Sequence, residues 1–277
     1  MTSLMIYGAT SSAGKSLIAT GLCRIFANKG YKVSPFKSQN MSRYYFTLKN
    51  GKIISSAQYI QGIAARCEIE NRLNPLLLVP KTDIGSTVYL MGEVVSDMKA
   101  KDYFQYKKDL KNKISEIYKS LEKDSDIVII EGAGSPAEIN LMENDIVNTG
   151  MAKIADTNAI LVVDIDRGGA FAHLYGTVMI LPKEDRDKIK GFVINKFRGD
   201  ISFLDSGINA IEEMTGIPVL GVLPYGNYNL PEEDSLGGNE TVEVFEIEKI
   251  DSEIEKLSKD LEKHLDLEKI MEIMDLW

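Results

Sequence analysis

The chain has 277 residues, 44% of them hydrophobic and 26% charged, which is ordinary for a folded globular protein and long enough for one large α/β domain with or without an appendage. Lys plus Arg number 32 against 41 Asp plus Glu, a net charge of −9, which argues against a general nucleic-acid binder because such proteins need a basic face to neutralise phosphates. Two cysteines (Cys23 and Cys67) and two histidines are too few for a disulfide framework or a Cys/His zinc site.

The elements alternate along the chain. LMIY (4–7) predicts a short strand ending at Gly8, and a helix follows over Lys15 to Asn28, with Leu17, Ile18, Leu22, Ile25 and Phe26 on one face and Gly30 as its stop. KVSPF (32–36) predicts a second strand, 55–67 a helix and VYLM (88–91) a short strand. Residues 103–122 predict a long amphipathic helix through Tyr106, Leu110, Ile114, Ile117 and Leu121. Strands are expected at 126–132, 159–166, 191–197 and 218–224, with helices at 169–181 and 205–215 between them. Continuous β-branched runs alternating with helices predict a doubly wound α/β fold with a mainly parallel sheet covered on both faces.

Composition shifts near residue 231. PEEDSLGGNE reads as a polar loop, EVFEIEKI (243–250) as a strand, and the remainder as one or two amphipathic helices carrying Ile254, Leu257, Leu261, Leu265, Ile270 and Ile273. We therefore expect a main domain over 1–235 and an acidic, mainly helical extension over 236–277. Its apolar stripe packs on the parent domain or, alternatively, docks a partner. The start, MTSLMIYGAT, has no basic region and no long apolar run, and no window reaches the roughly 18 apolar residues needed to span a bilayer. A cytoplasmic protein with no membrane partner is the expectation.

The first strand–helix junction carries the strongest motif, Gly8-Ala9-Thr10-Ser11-Ser12-Ala13-Gly14-Lys15-Ser16. A strand, a small-residue loop and then GKS opening a helix is the P-loop arrangement. Its backbone N–H groups point at phosphate oxygens, Lys15 reaches the β- and γ-phosphates and the Ser16 hydroxyl ligates Mg²⁺. Ala9 stands where the usual GxxxxGK[ST] spacing has its first glycine, with Gly8 one residue earlier.

PFKSQN (35–40) places Lys37 at the end of the second strand, where strand ends converge on the ligand crevice of a doubly wound sheet. Alone it reads as a solvated lysine, and next to Lys15 as a second cation for a transferring phosphoryl group. IVIIEGAGS (127–135) delivers Glu131 at a strand end before three small residues, suited to Mg²⁺ or to an ordinary cap or ion pair. DIDRGGAFA (164–172) offers Asp164, Asp166 and Arg167, either as a turn-closing ion pair or as substrate contacts. In INKFRGD (194–200), Asn195 carries an amide able to read an adenine edge.

In this order GATSSAGKS, PFKSQNMS, KTDIGS, EGAGSPAEINL, DIDRGGAFA, NKFRGD, GIPVLGVLPY and LPEEDS closely resemble the synthetase domain of the cobyric acid synthase family, over residues 4 to about 235. SQNM together with EGAGSPAEIN and DIDRGG is far more specific than a P-loop alone. The resemblance implies a dethiobiotin synthetase-like P-loop fold. It also implies ATP- and Mg²⁺-dependent amidation of corrinoid carboxylates, cobyrinic acid a,c-diamide to cobyric acid in cobalamin biosynthesis, through an acyl phosphate attacked by ammonia. By matching positions, Thr10, Ser11, Ser12, Ala13, Gly14, Lys15 and Ser16 cradle the phosphates, and Lys15 and Lys37 are catalytic. Ser16 and Glu131 hold Mg²⁺, and Asn195 with Pro224 lines the adenine pocket. The loops 37–42, 81–86 and 133–140 are expected to rim the phosphate site. Gln39, Asn40, Ser86, Gly134 and Ser135, with Asp166 and Arg167, are the candidates for gripping the acceptor.

Two departures from the pattern stand out. Where dethiobiotin synthetases carry an Asp ligand for Mg²⁺, this chain reads SSAQ (55–58), so Gln58 or a water takes that place. Cobyric acid synthases also carry a glutaminase domain with a cysteine nucleophile. Neither Cys23 nor Cys67 has such surroundings, so ammonia is expected from a separate glutaminase subunit or domain, or free in solution. A homo-oligomer is compatible with all of this. Two other readings are weighed. A dethiobiotin-type ligase on another small acid is disfavoured by SQNM and DIDRGG. A partition-type nucleotide-switch ATPase is disfavoured by a loop whose only lysine is Lys15 and by an acidic rather than basic tail.

Overall fold

The computed structural model describes residues 2–82, 85–230 and 247–276. The chain opens with β1 (Thr2–Gly8), the P-loop and α1 (Lys15–Asn28), the helix falling on the residues its apolar period marks. Then come β2 (Val33–Phe36), β3 (Gln39–Met41), β4 (Tyr45–Thr47), β5 (Ile53–Ser55) and α2 (Ser56–Ala65), which is N-capped by Ser55 accepting from Gln58 N. β6 (Leu76–Thr82), β7 (Gly85–Leu90) and β8 (Glu93–Lys99) lead into the long α3 (Ala100–Lys123).

The second half is regular: β9 (Ile127–Glu131), α4 (Thr149–Ala155), β10 (Ala159–Asp164), α5 (Ala170–Ile180), α6 (Lys183–Arg186), β11 (Ile189–Phe197), α7 (Asp205–Thr215) and β12 (Val219–Pro224). Two helices, α8 (Ile247–His264) and α9 (Leu267–Ile273), close the described chain.

Six strands form one parallel sheet in the order β12-β11-β10-β1-β9-β2. The chain leaves β1 towards β2 on one side and returns, after β9, to β10 on the other. The strand order therefore reverses at β1, and the P-loop sits at that switch point, where open α/β sheets bind ligands. Alternate residues of β1 divide between two cores. Leu4 and Ile6 pack with Ile18, Leu22 and Phe26 of α1, while Met5 and Tyr7 pack with Ile114 and Tyr118 of α3 and Met151 of α4. The sheet is thus buried on both faces, as its unbroken apolar runs require.

The sequence reading missed most of a second sheet, ordered β3-β6-β7-β8, and the β4–β5 hairpin. Of VYLM (88–91), only 88–90 belong to a strand, as the end of β7. Met91 and Gly92 leave the strand with φ of 52° and 77°, both central residues of the turn into β8 lying in the left-handed region. β8 is largely exposed, so it lacks the apolar alternation by which strands are recognised.

Of the C-terminal helices, α8 packs on α1 and α9 on β12. Gly21 permits the approach: a Cβ there would lie 2.0 Å from Cδ1 of Leu261. Ile254, Leu257, Leu261, Leu265, Ile270 and Ile273 are all buried. The fully buried Arg24 of α1 donates to the carbonyls of Ile63 (3.1 Å) and Ala64 (3.0 Å) and pairs with Asp251 and Glu255 of α8. The strand expected at 243–250 is corrected in its described part: Ile247–Ile250 begins α8, because Ile250, Ile254, Leu257 and Leu261 repeat at helical spacing and find an apolar partner only as a helix on α1. The rest of that segment, and PEEDSLGGNE, lie outside the described residues. Among the described residues no helix is long and apolar enough to cross a membrane.

Candidate active site

The P-loop departs from the usual spacing for a steric reason. Gly8 lies where a Cβ would come within 2.7 Å of Lys15 Nζ and 2.8 Å of Thr10 O, so the glycine is needed there. Ala9 is buried and its N–H donates to Val162 O (2.8 Å), a conformation that tolerates a methyl group. Gly14 has φ +103°, and a Cβ on it would fall 2.0 Å from Asn195 Nδ2. Lys15 Nζ folds back over the loop to Thr10 O (3.3 Å) and across to Gly134 O (2.9 Å). Only 7% of Lys15 is exposed.

Beneath the loop, Glu131 is fully buried at the end of β9. It accepts from Ser16 Oγ (2.7 Å), from Lys37 Nζ (2.9 Å) and from Gln61 Nε2. Burial pushes its carboxyl upward, but the charge of Lys37 and the hydrogen bonds from Ser16, Lys37 and Gln61 outweigh it and hold Glu131 below the ordinary carboxylate range. Glu131 is therefore an anion paired with a buried lysine, within reach of the first hydroxyl of α1.

The donor set fits Mg²⁺ of the kind that keeps its waters. Among the described residues no three His, Cys, Asp or Glu side chains gather as a metal cage, and one carboxylate with one hydroxyl suits an ion that takes its remaining oxygens from phosphate and water. Gln61 adds a buried Oε1 without a hydrogen-bond partner among the described residues. Gln58, expected in the metal role, is corrected. Its Oε1 accepts from Asn40 Nδ2 (3.0 Å) and from Ser55, and it does not line the cavity, because the N-terminal turn of α2 directs it at the 38–42 segment.

Above these groups opens a cavity of about 650 Å³. Of the sequence candidates, Ser11, Ser12, Gly14, Lys15, Ser16, Lys37, Gln39, Asn40, Glu131, Gly134, Ser135 and Asn195 line it. Thr10 and Ala13 do not; each contributes a carbonyl to the loop's own hydrogen bonds, Thr10 to Lys15 and Ala13 to Asn195. Ser86 lies away from the cavity on β7. Pro224 is exposed at the end of β12, one residue before Tyr225, which does line it. Asp166 and Arg167 are held in the turn, Asp166 by Arg198 (2.9 Å) and Arg167 near Asp164 (3.6 Å), and neither reaches the cavity. Asn195 is spent on the protein: Nδ2 donates to Ala13 O (3.0 Å) and Oδ1 accepts from Lys196 N (2.9 Å). It braces the P-loop from the neighbouring strand end.

Several residues at the site escaped the sequence reading. Lys196, with φ +64°, ties Ser12 O (3.0 Å) to Asp164 (2.9 Å); its place beside Asn195 at a strand end was a usable signal. Asn148 clasps the 133–135 loop through Ala133 O (2.7 Å), Ala133 N (3.2 Å) and Ser135 O (3.3 Å). Asp145 accepts from Val147 N (2.8 Å), Asn148 N (3.1 Å) and Gly150 N (2.9 Å), fixing the entry to α4. The Asp/Asn-rich run NDIVNTG marks that turn. Gln61 lies three residues after Gln58 on the same helix. Neither thiol is activated: burial raises Cys23 well above its ordinary value and pushes Cys67 up to about 11.

The CobQ/CobB/MinD/ParA nucleotide binding domain family matches residues 4–235, from β1 past the end of β12. The chain belongs to that family. Curated relatives include proteins named cobyric acid synthase from Streptococcus sanguinis strain SK36, 53% identical over 84% of this chain and 47% of the relative, and from Limosilactobacillus reuteri strain DSM 20016, 52% identical over 84% and 47%. Another with that name, from Listeria monocytogenes strain EGD-e, is 51% identical over 85% and 46%. The chain spans about half the length of the curated relatives it matches. Among solved structures, the MinC:MinD cell division complex of Aquifex aeolicus aligns over 82% of both chains with TM-score 0.45 and 13% identity. The signal recognition particle receptor FtsY of Elizabethkingia anophelis with GDP aligns over 91% of this chain and 62% of that one, with TM-score 0.47 and 15% identity. Neither likeness is close enough to carry a functional argument.

Proposed function

We propose that the chain is the ATP- and Mg²⁺-dependent amide-forming part of a cobyric acid synthase, converting corrinoid side-chain carboxylates to amides. The observation that carries the reading is the buried Lys37–Glu131–Ser16 constellation under a P-loop whose lysine is already drawn across the cavity mouth. The relatives at about half sequence identity supply the substrate class.

In this reading, backbone N–H groups of residues 11–16 and the N-terminus of α1 receive the nucleotide phosphates. Ser16 and Glu131 would hold Mg²⁺, which supplies charge to the phosphate oxygens as bonding changes. An acceptor carboxylate oxygen attacks the γ-phosphorus, the bond to the β–γ bridging oxygen breaks and ADP leaves. Lys15 and Lys37, held in place before reaction, offset the charge that builds on the transferring group. Ammonia then attacks the acyl carbon, loses a proton and expels phosphate. Asn195, bracing Ala13, keeps the loop in its phosphate-binding form, and Tyr225 with Pro224 borders the region where the base is expected.

The test is mass spectrometry of cobyrinic acid a,c-diamide incubated with the chain, MgATP and an ammonium salt. Stepwise carboxylate-to-amide mass changes that require ATP and vanish in Lys15→Ala support the reading. ATP-dependent product with diaminopelargonate and bicarbonate, and none with the corrinoid, would replace it by the dethiobiotin-type alternative.

A further inference from the structure

The chain is acidic overall, yet its cavity is not. Lys15, Lys37, Lys107 and Lys196 line it against Glu131, Glu138 and Asp145. The site already described uses three of these lysines: Lys15 spans the loop, Lys37 pairs with Glu131 and Lys196 bridges Ser12 to Asp164. Lys107 has no part in that arrangement. It projects from α3, on the opposite side of the sheet from α1, and makes no hydrogen bond or ion pair among the described residues. The carboxylate whose charge acts on it is Asp145, whose oxygens already accept from the backbone N–H groups of 147, 148 and 150. Burial draws the Lys107 ammonium below its ordinary value and Asp145 only partly opposes this, the signature of a half-desolvated cation lacking a full counter-charge.

Its surroundings are apolar on one side and polar on the other. Met41, on the strand that Tyr103 of α3 holds through Gln39, and Leu141 and Met142, in the 139–144 turn that packs on α3, line the cavity with it, and Met41 and Leu141 remain 57% and 45% exposed. Gln39 stands with them, its Oε1 accepting from Tyr103 Oη (2.6 Å), which ties α3 to β3 and fixes where Lys107 emerges. The Gln39 amide nitrogen has no acceptor among the described residues.

We infer that this end of the cavity is the acceptor subsite, in which Lys107 receives a carboxylate of a substrate whose bulky apolar frame rests on Met41, Leu141 and Met142. The inference rests on the function proposed above and adds a binding residue to it. Lys107 binds and orients the acceptor; the phosphoryl-transfer chemistry stays with Lys15 and Lys37. Methionine side chains suit a large, irregular ligand because they are unbranched and repack readily.

The experiment is equilibrium dialysis of cobyrinic acid a,c-diamide against the whole chain with Mg²⁺ and a non-hydrolysable ATP analogue, using wild type, Lys107→Met, Lys107→Arg and, as a control on the exposed side of α3, Lys119→Met. Loss of a charge-assisted contact predicts roughly ten- to hundredfold weaker corrinoid binding in Lys107→Met. The expected pattern includes substantial recovery in Lys107→Arg, no change in Lys119→Met and nucleotide affinity within about twofold of wild type throughout. Should Lys107→Met not fold, Lys107→Gln makes the same comparison. Unchanged corrinoid binding in the neutral variant, or equal losses of corrinoid and nucleotide, overturns the inference while leaving the proposed function standing. A wild-type chain that binds nucleotide but not the corrinoid removes both.

Discussion

Replacing Lys37 by Met tests the electrostatic core of the site. Lys37 is 2% exposed and Glu131 0%, with 2.9 Å between Nζ and Oε1. Removing one partner of such a pair leaves a buried charge without its counter-ion, a loss of about 3–5 kcal/mol. Hydrogen bonds from Ser16 and Gln61 remain, so the lower end is expected. In a chain of this size that corresponds to a melting temperature lower by roughly 6–10 °C near neutral pH. The pH dependence has a definite sign. In the wild type the folded Glu131 sits below its unfolded value, so its contribution is present above about pH 4.3 and fades as pH falls through the folded value. In Lys37→Met the burial that raises the carboxyl persists while the charge that lowers it is gone. The folded value then rises above that of the wild type, so the penalty is full where the carboxyl is ionised and is relieved by protonation as pH falls. The deficit against wild type should therefore shrink as the pH is taken from neutral toward acid. Urea unfolding at neutral and at acid pH reads it directly. Adding Glu131→Gln should restore most of the stability without restoring ATP-dependent turnover. A single variant as stable as wild type, or a deficit that grows toward acid, would refute the reasoning.

Gly14→Ala should cost about 1–3 kcal/mol from the left-handed backbone alone, with a further clash against Asn195 Nδ2. Nucleotide binding by calorimetry should be lost in Gly14→Ala and not recovered in Gly14→Ala/Asn195→Ala, since removing the amide makes space but leaves φ at +103°. Cys67, with its thiol pushed up to about 11 mainly by burial, should alkylate slowly at neutral pH, its rate rising about tenfold per pH unit between about pH 8 and 10, as followed by peptide mass spectrometry. A rate that plateaus near pH 8 would contradict its environment.

The parallel sheet, α1, α7 and the P-loop were legible in the sequence because each depends on local signals. Unbroken β-branched runs mark strands buried on both faces, helical periodicity marks α1 between Lys15 and Asn28, and GKS marks a helix start. Strand ends also converge on one crevice whatever the loops between them do, which brought Lys37 and Glu131 within one site on paper. The second sheet was not legible, because β8 is exposed and its apolar residues do not alternate, and β3 to β5 are each three residues long, too short for a period to show.

Only the tertiary structure decided how these residues are used. That Lys37 is paired and buried, that Gln61 and not Gln58 meets Glu131, and that Asn195 serves the loop through Ala13 are facts of distance between segments far apart in the chain. Lys107 shows the limit most plainly. In sequence it is one of a run of lysines along an amphipathic helix, each equally at home in water. What sets it apart is the wall on which α3 packs, and that wall is assembled from β3 and the 139–144 turn. A sequence pattern specifies what a segment buries; which side chains then face one another depends on how separate segments pack.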